Sequence, residues 1–163
     1  MGEGERKLRV PLPTRRATRR LARALAAVLR PGDLVVLEGG LGAGKTFLVR
    51  GLARELGVPT SVKVTSPTFG LVHELPGRAL IIHADLYRLG SVDELAELGL
   101  REHLRSDAVV LIEWGRRFLE TLGGDGLLIE LARDGDQRSA TIEALGPRGR
   151  EQIAVLAAAP SVW

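Results

Sequence analysis

Apolar positions along this chain fall into two rhythms. Short continuous runs, among them Leu34-Val35-Val36-Leu37, Leu80-Ile81-Ile82 and Ala108-Val109-Val110-Leu111-Ile112, have the length and branched character of buried strands. Elsewhere the spacing lengthens to that of a helix: Leu21, Leu25, Val28 and Leu29 fall at i, i+4, i+7 and i+8, with arginines on other positions. Thr14 is placed to cap that helix, and Pro31-Gly32 to end it. The pattern predicts further strands at Leu8 to Leu12, Asp33 to Glu38, Val62 to Thr65, Phe69 to Glu74 and Leu80 to Ala84. It predicts helices from Lys45 to about Leu56, stopped by Gly57 and Pro59, from Val92 to Leu98, from Arg101 to Leu104 and from about Arg116 to Leu122. The last third changes character. Gly126 to Ala132 and Ser139 to Ala144 pattern as a hairpin around Arg133-Asp134-Gly135-Asp136, and a helix follows over roughly Gly149 to Ala159. Alternating strands and helices predict one α/β domain over residues 1–163. Its expected form is a mostly parallel central sheet flanked by helices, with a C-terminal β-hairpin and helix.

One turn of this alternation carries chemistry. Between the strand ending at Glu38 and the helix from Lys45 lies Gly39-Gly40-Leu41-Gly42-Ala43-Gly44-Lys45-Thr46. It matches the phosphate-loop template G-x-x-x-x-G-K-[ST] at every fixed position. Glycines let successive backbone N–H groups turn toward one phosphate, and the following helix adds the positive end of its dipole. The lysine reaches the β- and γ-phosphates, and the threonine hydroxyl is placed to ligate Mg²⁺. A P-loop NTPase also needs a carboxylate near that metal, at the end of a neighbouring apolar strand. Asp85, after Leu80-Ile81-Ile82-His83-Ala84, and Glu113, after Val109-Val110-Leu111-Ile112, both meet the requirement; spacing does not divide their roles. Thr65-Ser66-Pro67-Thr68 is either a switch that senses the γ-phosphate or a proline turn whose hydroxyls bond their own backbone.

At 163 residues the chain suits a single domain, and no apolar run reaches transmembrane length. Cysteine is absent, which excludes a disulfide framework and thiolate metal sites. His73, His83 and His103 share no metal-ligand spacing and are assigned to strand or surface positions. A soluble, cytoplasmic protein is expected. Arginine outnumbers lysine twenty to three, asparagine is missing and methionine appears once, which suits either a thermophile or a GC-rich genome. Without asparagine the chain cannot carry the N-K-x-D guanine-reading motif, so ATP is favoured over GTP. Residues 1–30 hold nine Lys/Arg against two Glu, as an organellar presequence would. The helical spacing instead assigns them to a domain helix. Its arginines are either solvated or hold RNA or an acidic partner.

Taken together, Gly42-Ala43-Gly44-Lys45-Thr46, Thr65-Ser66-Pro67-Thr68-Phe69, His83-Ala84-Asp85-Leu86-Tyr87-Arg88-Leu89 and Leu111-Ile112-Glu113-Trp114 occur in an order that closely resembles the TsaE family (formerly YjeE). Its members are small bacterial ATPases needed to make N6-threonylcarbamoyladenosine in tRNA. The resemblance runs from about Thr14 to Arg138. It implies that Leu41, Gly42, Ala43, Gly44 and Lys45 hold the phosphates, and that Thr46 and Glu113 ligate Mg²⁺. By the same resemblance Asp85 is a second acidic group, Thr68 a switch-like residue, and Trp114 a neighbour of the nucleotide pocket. Thr18 and Arg138 resemble positions that help enclose ATP. The implied partners are TsaB and TsaD, with tRNA served indirectly and no membrane involved. Lys45, Asp85 and Glu113 are the expected catalytic set. The chain departs from the family pattern at Gly40, where Asp or Asn is usual, at Phe47, where a second Thr or Ser is usual, and at Arg116, often an acid. Two other readings stay open: a small-molecule kinase, with Arg101, Arg105, Arg116 and Arg117 as candidate lid arginines, and an ATP-dependent scaffold with little turnover.

Overall fold

The computed structural model describes residues 6–67, 71–105 and 107–159. Strand β1 (Lys7–Pro11) leads into α1 (Arg15–Val28), β2 (Leu34–Glu38) and α2 (Lys45–Glu55). The pair β3 (Val72–Pro76) and β4 (Leu80–Asp85) follows, then α3 (Val92–Glu97), α4 (Leu100–Leu104) and β5 (Ala108–Glu113). A 3-10 turn (Arg116–Phe118) runs into α5 (Leu119–Leu122), and β6 (Gly126–Asp134), β7 (Gln137–Ala144) and α6 (Pro147–Ala157) complete the chain. The strands form one seven-stranded sheet in the order β1-β7-β6-β2-β5-β4-β3. Its centre, β6-β2-β5-β4, is parallel, while β7 pairs antiparallel with both β6 and β1, and β3 antiparallel with β4. The sheet is therefore mixed and largely parallel, flanked by helices.

The continuous apolar runs became the innermost strands, as the burial of both faces requires. Every residue of β5 is buried, and so are Leu34 to Leu37 of β2. Side chains alternate between two cores. Val35, Leu37, Ile81, Val109 and Leu111 pack beneath α1, α2 and α6, while Leu34, Val36, Ile82, Val110 and Ile112 pack against α3, α4 and α5. Helix α1 starts where expected, with the Thr14 hydroxyl accepting the Ala17 N–H at 3.1 Å. Leu21 and Leu25 are fully buried on its inner face, each contributing about 1.5–3 kcal/mol of apolar burial.

Two expectations need correction. Val62 to Thr65 is not a strand: the Arg54 guanidinium donates to the Val62 carbonyl at 2.7 Å and Arg50 to that of Val64 at 3.3 Å. Side chains from α2 satisfy backbone groups that a neighbouring strand would otherwise take. The C-terminal hairpin is longer than its pattern, with Asp134 and Gln137 paired across a two-residue turn whose Gly135 has φ +59°. In addition, Phe69 lies outside the described residues, and the strand begins at Val72.

Candidate active site

Strand β2 ends at Glu38, and the chain turns through residues 39–44 into α2. Gly44 caps that helix with φ +105° and no side-chain hydrogen bond, a left-handed conformation that carries no Cβ penalty for glycine. No side-chain cap takes the first amides of α2, the arrangement that anion-binding helix N-termini share. Gly39 is required for room, since a Cβ there would lie 2.6 Å from the Leu131 carbonyl oxygen on β6.

Lys45 folds back across this loop. Its Nζ donates to the carbonyls of Gly39 (2.6 Å) and Gly40 (3.0 Å) and lies 4.1 Å from the centre of the Trp114 ring. Burial of the ammonium pushes its pKa below the ordinary lysine range, and Glu113, Glu38 and Asp85 oppose that shift.

Asp85 and Glu113 end adjacent parallel strands and are direct partners in the β4–β5 register. Both acids thus arrive at the C-terminal edge of the sheet, where open α/β sheets bind ligands. Glu113 is buried, and each of its oxygens has a partner. Oε1 accepts the Thr46 hydroxyl at 2.9 Å, and Oε2 lies 2.8 Å from His83 Nε2. Asp85 is half-buried and accepts the Ser66 hydroxyl at 2.5 Å and the Tyr87 N–H at 2.9 Å. The Thr46 hydroxyl and Glu113 carboxylate form an oxygen-only pair of the kind that suits Mg²⁺.

After Glu113 the chain doubles back at once. Trp114 adopts φ +62° with its N–H bonded to the Leu37 carbonyl at 3.0 Å. Its indole packs against the Tyr87 ring at 4.8 Å between centroids. The resulting cavity, about 330 Å³, is lined by Gly42, Lys45, Thr46, Asp85, Glu113 and Trp114 among others, within the size range of ligand sites. Leu41, largely exposed, borders its mouth. An adjoining lobe of about 220 Å³ shares Gly42, Ala43 and Gly44 and brings in Thr18 and Arg138. All the expected site residues therefore converge on one loop except Thr68, which lies outside the described residues. A larger hollow of about 450 Å³ lies between α1 and α2, sharing Thr18 and Phe47 with the adjoining lobe and ringed by Arg16, Arg19, Arg20, Arg23, Arg50 and Arg54.

The departures from the family pattern have local partners. Phe47 lies under the guanidinium groups of Arg15 (5.8 Å) and Arg19 (5.9 Å). Arg116 pairs with Glu130, and its N–H donates to Glu38 at 2.6 Å. The residue that sequence reasoning missed is His83. It is fully buried and tied to Glu113, although strand alternation already places residues 83 and 85 on one face of β4.

Comparison with known proteins places the chain in a family. The family model described as "Threonylcarbamoyl adenosine biosynthesis protein TsaE" matches residues 12–141. The chain is 44% identical over 149 residues to a tRNA threonylcarbamoyladenosine biosynthesis protein TsaE of Streptomyces coelicolor, covering 85% of this chain and 99% of that one. It is 40% identical over 133 residues to the Bacillus subtilis protein of the same name, covering 80% and 82%. The crystal structure of Bacillus subtilis YdiB superposes with a TM-score of 0.75 at 31% identity, covering 93% of this chain and 95% of that one. The chain belongs to the TsaE family of threonylcarbamoyl adenosine biosynthesis proteins.

Proposed function

We propose that the chain is a Mg²⁺-dependent ATPase that serves tRNA N6-threonylcarbamoyladenosine formation through a TsaB–TsaD pair, without transferring the group itself. The observation that carries this reading is the convergence of Lys45, Thr46, Asp85 and Glu113 at one loop. In the free protein Lys45 is bonded to the carbonyls of its own loop. Nucleotide entry requires it to exchange them for β- and γ-phosphate oxygens, while the free amides of α2 take the remaining phosphate charge. Thr46 and Glu113 would hold Mg²⁺, which when bound neutralises charge developing on the phosphates. Asp85, oriented by Ser66 and the Tyr87 amide, is positioned to accept a hydrogen bond from the attacking water. Thr18 and Arg138 line the lobe that suits the nucleoside, and Trp114 walls the phosphate side. Thr68 keeps its role as a switch-like residue as part of the same proposal.

Two of the arginines a kinase lid would draw on are engaged elsewhere, which favours water over a small-molecule acceptor. Arg117 donates to the carbonyls of Leu86 (2.8 Å) and Leu89 (2.5 Å), and Arg116 pairs with Glu130. The test is Mg²⁺-dependent ATP hydrolysis by the pure chain, alone and with TsaB–TsaD, with Lys45→Ala as control. Stimulation by the pair that vanishes in the control is expected. Transfer of phosphate to a small acceptor, or an unstimulated rate with full tRNA modification, would overturn the reading.

A further inference from the structure

His83 lies two residues before Asp85 on β4 and is fully buried. Its Nε2 is 2.8 Å from Glu113 Oε2, while among the described residues its Nδ1 has no hydrogen-bond partner. A histidine that served packing alone would be expected to satisfy both ring nitrogens, because a buried unpaired polar atom costs about 1–3 kcal/mol. Here one nitrogen stays unpaired and the other faces a carboxylate. A carboxylate that is to hold a metal is ionised and can only accept, so the tautomer that fits this contact carries the hydrogen on Nε2.

We infer that His83 is a positioning residue for the metal-binding carboxylate: its Nε2–H fixes the rotation of Glu113 so that Oε1 faces Thr46. The inference rests on the assignment of Glu113 as a metal ligand. The geometry is specific. Oε1 is taken by the Thr46 hydroxyl and Oε2 by His83, so donors on two elements clamp the carboxylate plane. Without the histidine, Oε2 becomes a buried anionic oxygen with no donor. With one of its two donors gone, the plane of the carboxylate is no longer fixed and the group is free to rotate. Rotation would pull Oε1 away from the threonine and cost metal affinity, not nucleotide affinity. Partners that orient metal ligands typically change affinity by about 10–100-fold.

Two amide substitutions separate positioning from packing. A glutamine at 83 places its side-chain NH₂ near the position of Nε2, and an asparagine places it near Nδ1, which does not face Glu113. Mn²⁺ affinity is measured by electron paramagnetic resonance on protein saturated with a non-hydrolysable ATP analogue. Affinity for the analogue itself is measured separately in EDTA. For His83→Gln, Mn²⁺ affinity within about threefold of wild type is expected; for His83→Asn, a loss of about 10–100-fold, with metal-free analogue binding unchanged in both. Equal Mn²⁺ affinity in His83→Asn and wild type, or equal losses in both variants, overturns the inference. A Glu113→Gln variant that keeps wild-type Mn²⁺ affinity overturns the ligand assignment and this role together. Glu113-dependent binding that ignores His83 overturns this role alone. A measurement on the unaltered chain guards against variants that fail to fold: ¹⁵N-histidine spectra should show His83 with its Nε2 proton present and protected from exchange. A bare Nε2 would overturn the inference.

Discussion

Trp114 holds a backbone conformation that its own side chain opposes. At φ +62° a bulky residue pays a left-handed penalty that glycine avoids. The conformation persists because its N–H is tied to Leu37 and its ring is packed between Tyr87 and Lys45. Such strain, on the order of 1–3 kcal/mol, collects at functional sites. Replacing Trp114 with Ala and with Gly should therefore invert the usual order of stability. The glycine variant should be more stable in urea by about 1 kcal/mol, with both binding nucleotide more weakly than wild type. A more stable alanine variant would mean that the backbone is not strained. Lys45 gives a second residue-scale test. Burial lowers its pKa, so it loses its proton at a lower pH than an exposed lysine does. Between that lowered value and the unfolded one, the unfolded chain binds more protons, so this residue's contribution to stability rises as pH rises. On the proposed function nucleotide binding needs the ammonium and should weaken over the same window. Calorimetry in two buffers of different ionisation enthalpy should register proton uptake on binding that sets in at a lower pH than an ordinary lysine would give. Uptake that matches an ordinary lysine would remove the role of burial.

At the scale of elements, legibility followed how local the determining interaction was. Strands β2, β4 and β5 and both acidic strand ends could be seen because continuous apolar runs need only their neighbours' burial to become central strands. The phosphate loop was legible because its glycines and lysine are contiguous. The tie between His83 and Glu113 was not, since it joins residues thirty apart through a strand register that no single run encodes. The segment after α2 misled for a related reason. Its apolar residues suit a strand, but Arg54 reaches the carbonyls of Val58 (3.3 Å), Pro59 (2.6 Å) and Val62 (2.7 Å) and pins it as a loop. That loop delivers Ser66 to Asp85. Arg54→Ala should cost about 1–3 kcal/mol and speed amide exchange across residues 58–67. Arg54→Lys should recover only part of the loss, because one ammonium cannot span the carbonyls that a guanidinium fork reaches. Unchanged exchange in Arg54→Ala would show that packing alone holds the loop.

Across the whole molecule, a buried polar network anchors the end of β2 that lies away from the site. Asp33 sits just before that strand and is buried, yet donors from two regions surround it. The Arg148 guanidinium on α6 bonds both of its oxygens (3.0 and 3.1 Å), Gln152 donates at 2.9 Å, and the Arg30 N–H at 2.7 Å. Arg148 also donates to the Val28 carbonyl at the end of α1 (2.6 Å), and the ion pair with Asp33 raises its pKa further. One guanidinium thus joins the N-terminal helix, the central strand and the C-terminal helix. Removing it leaves a buried carboxylate short of donors, and breaking such a pair costs about 3–5 kcal/mol when both partners are buried. Arg148 is partly exposed, so a loss of about 2–3 kcal/mol is expected for Arg148→Ala, or roughly 4–12 °C in melting temperature for a chain of this size. The phosphate loop leaves the opposite end of β2, about 17 Å away at roughly 3.3 Å per residue. Nucleotide affinity should therefore stay at its wild-type value well below the melting transition. Calorimetric melting and nucleotide titration on the same sample check both halves. A variant that melts normally would show the network to be dispensable. One that melts early and also binds weakly would show that β2 transmits strain from its anchor to its loop.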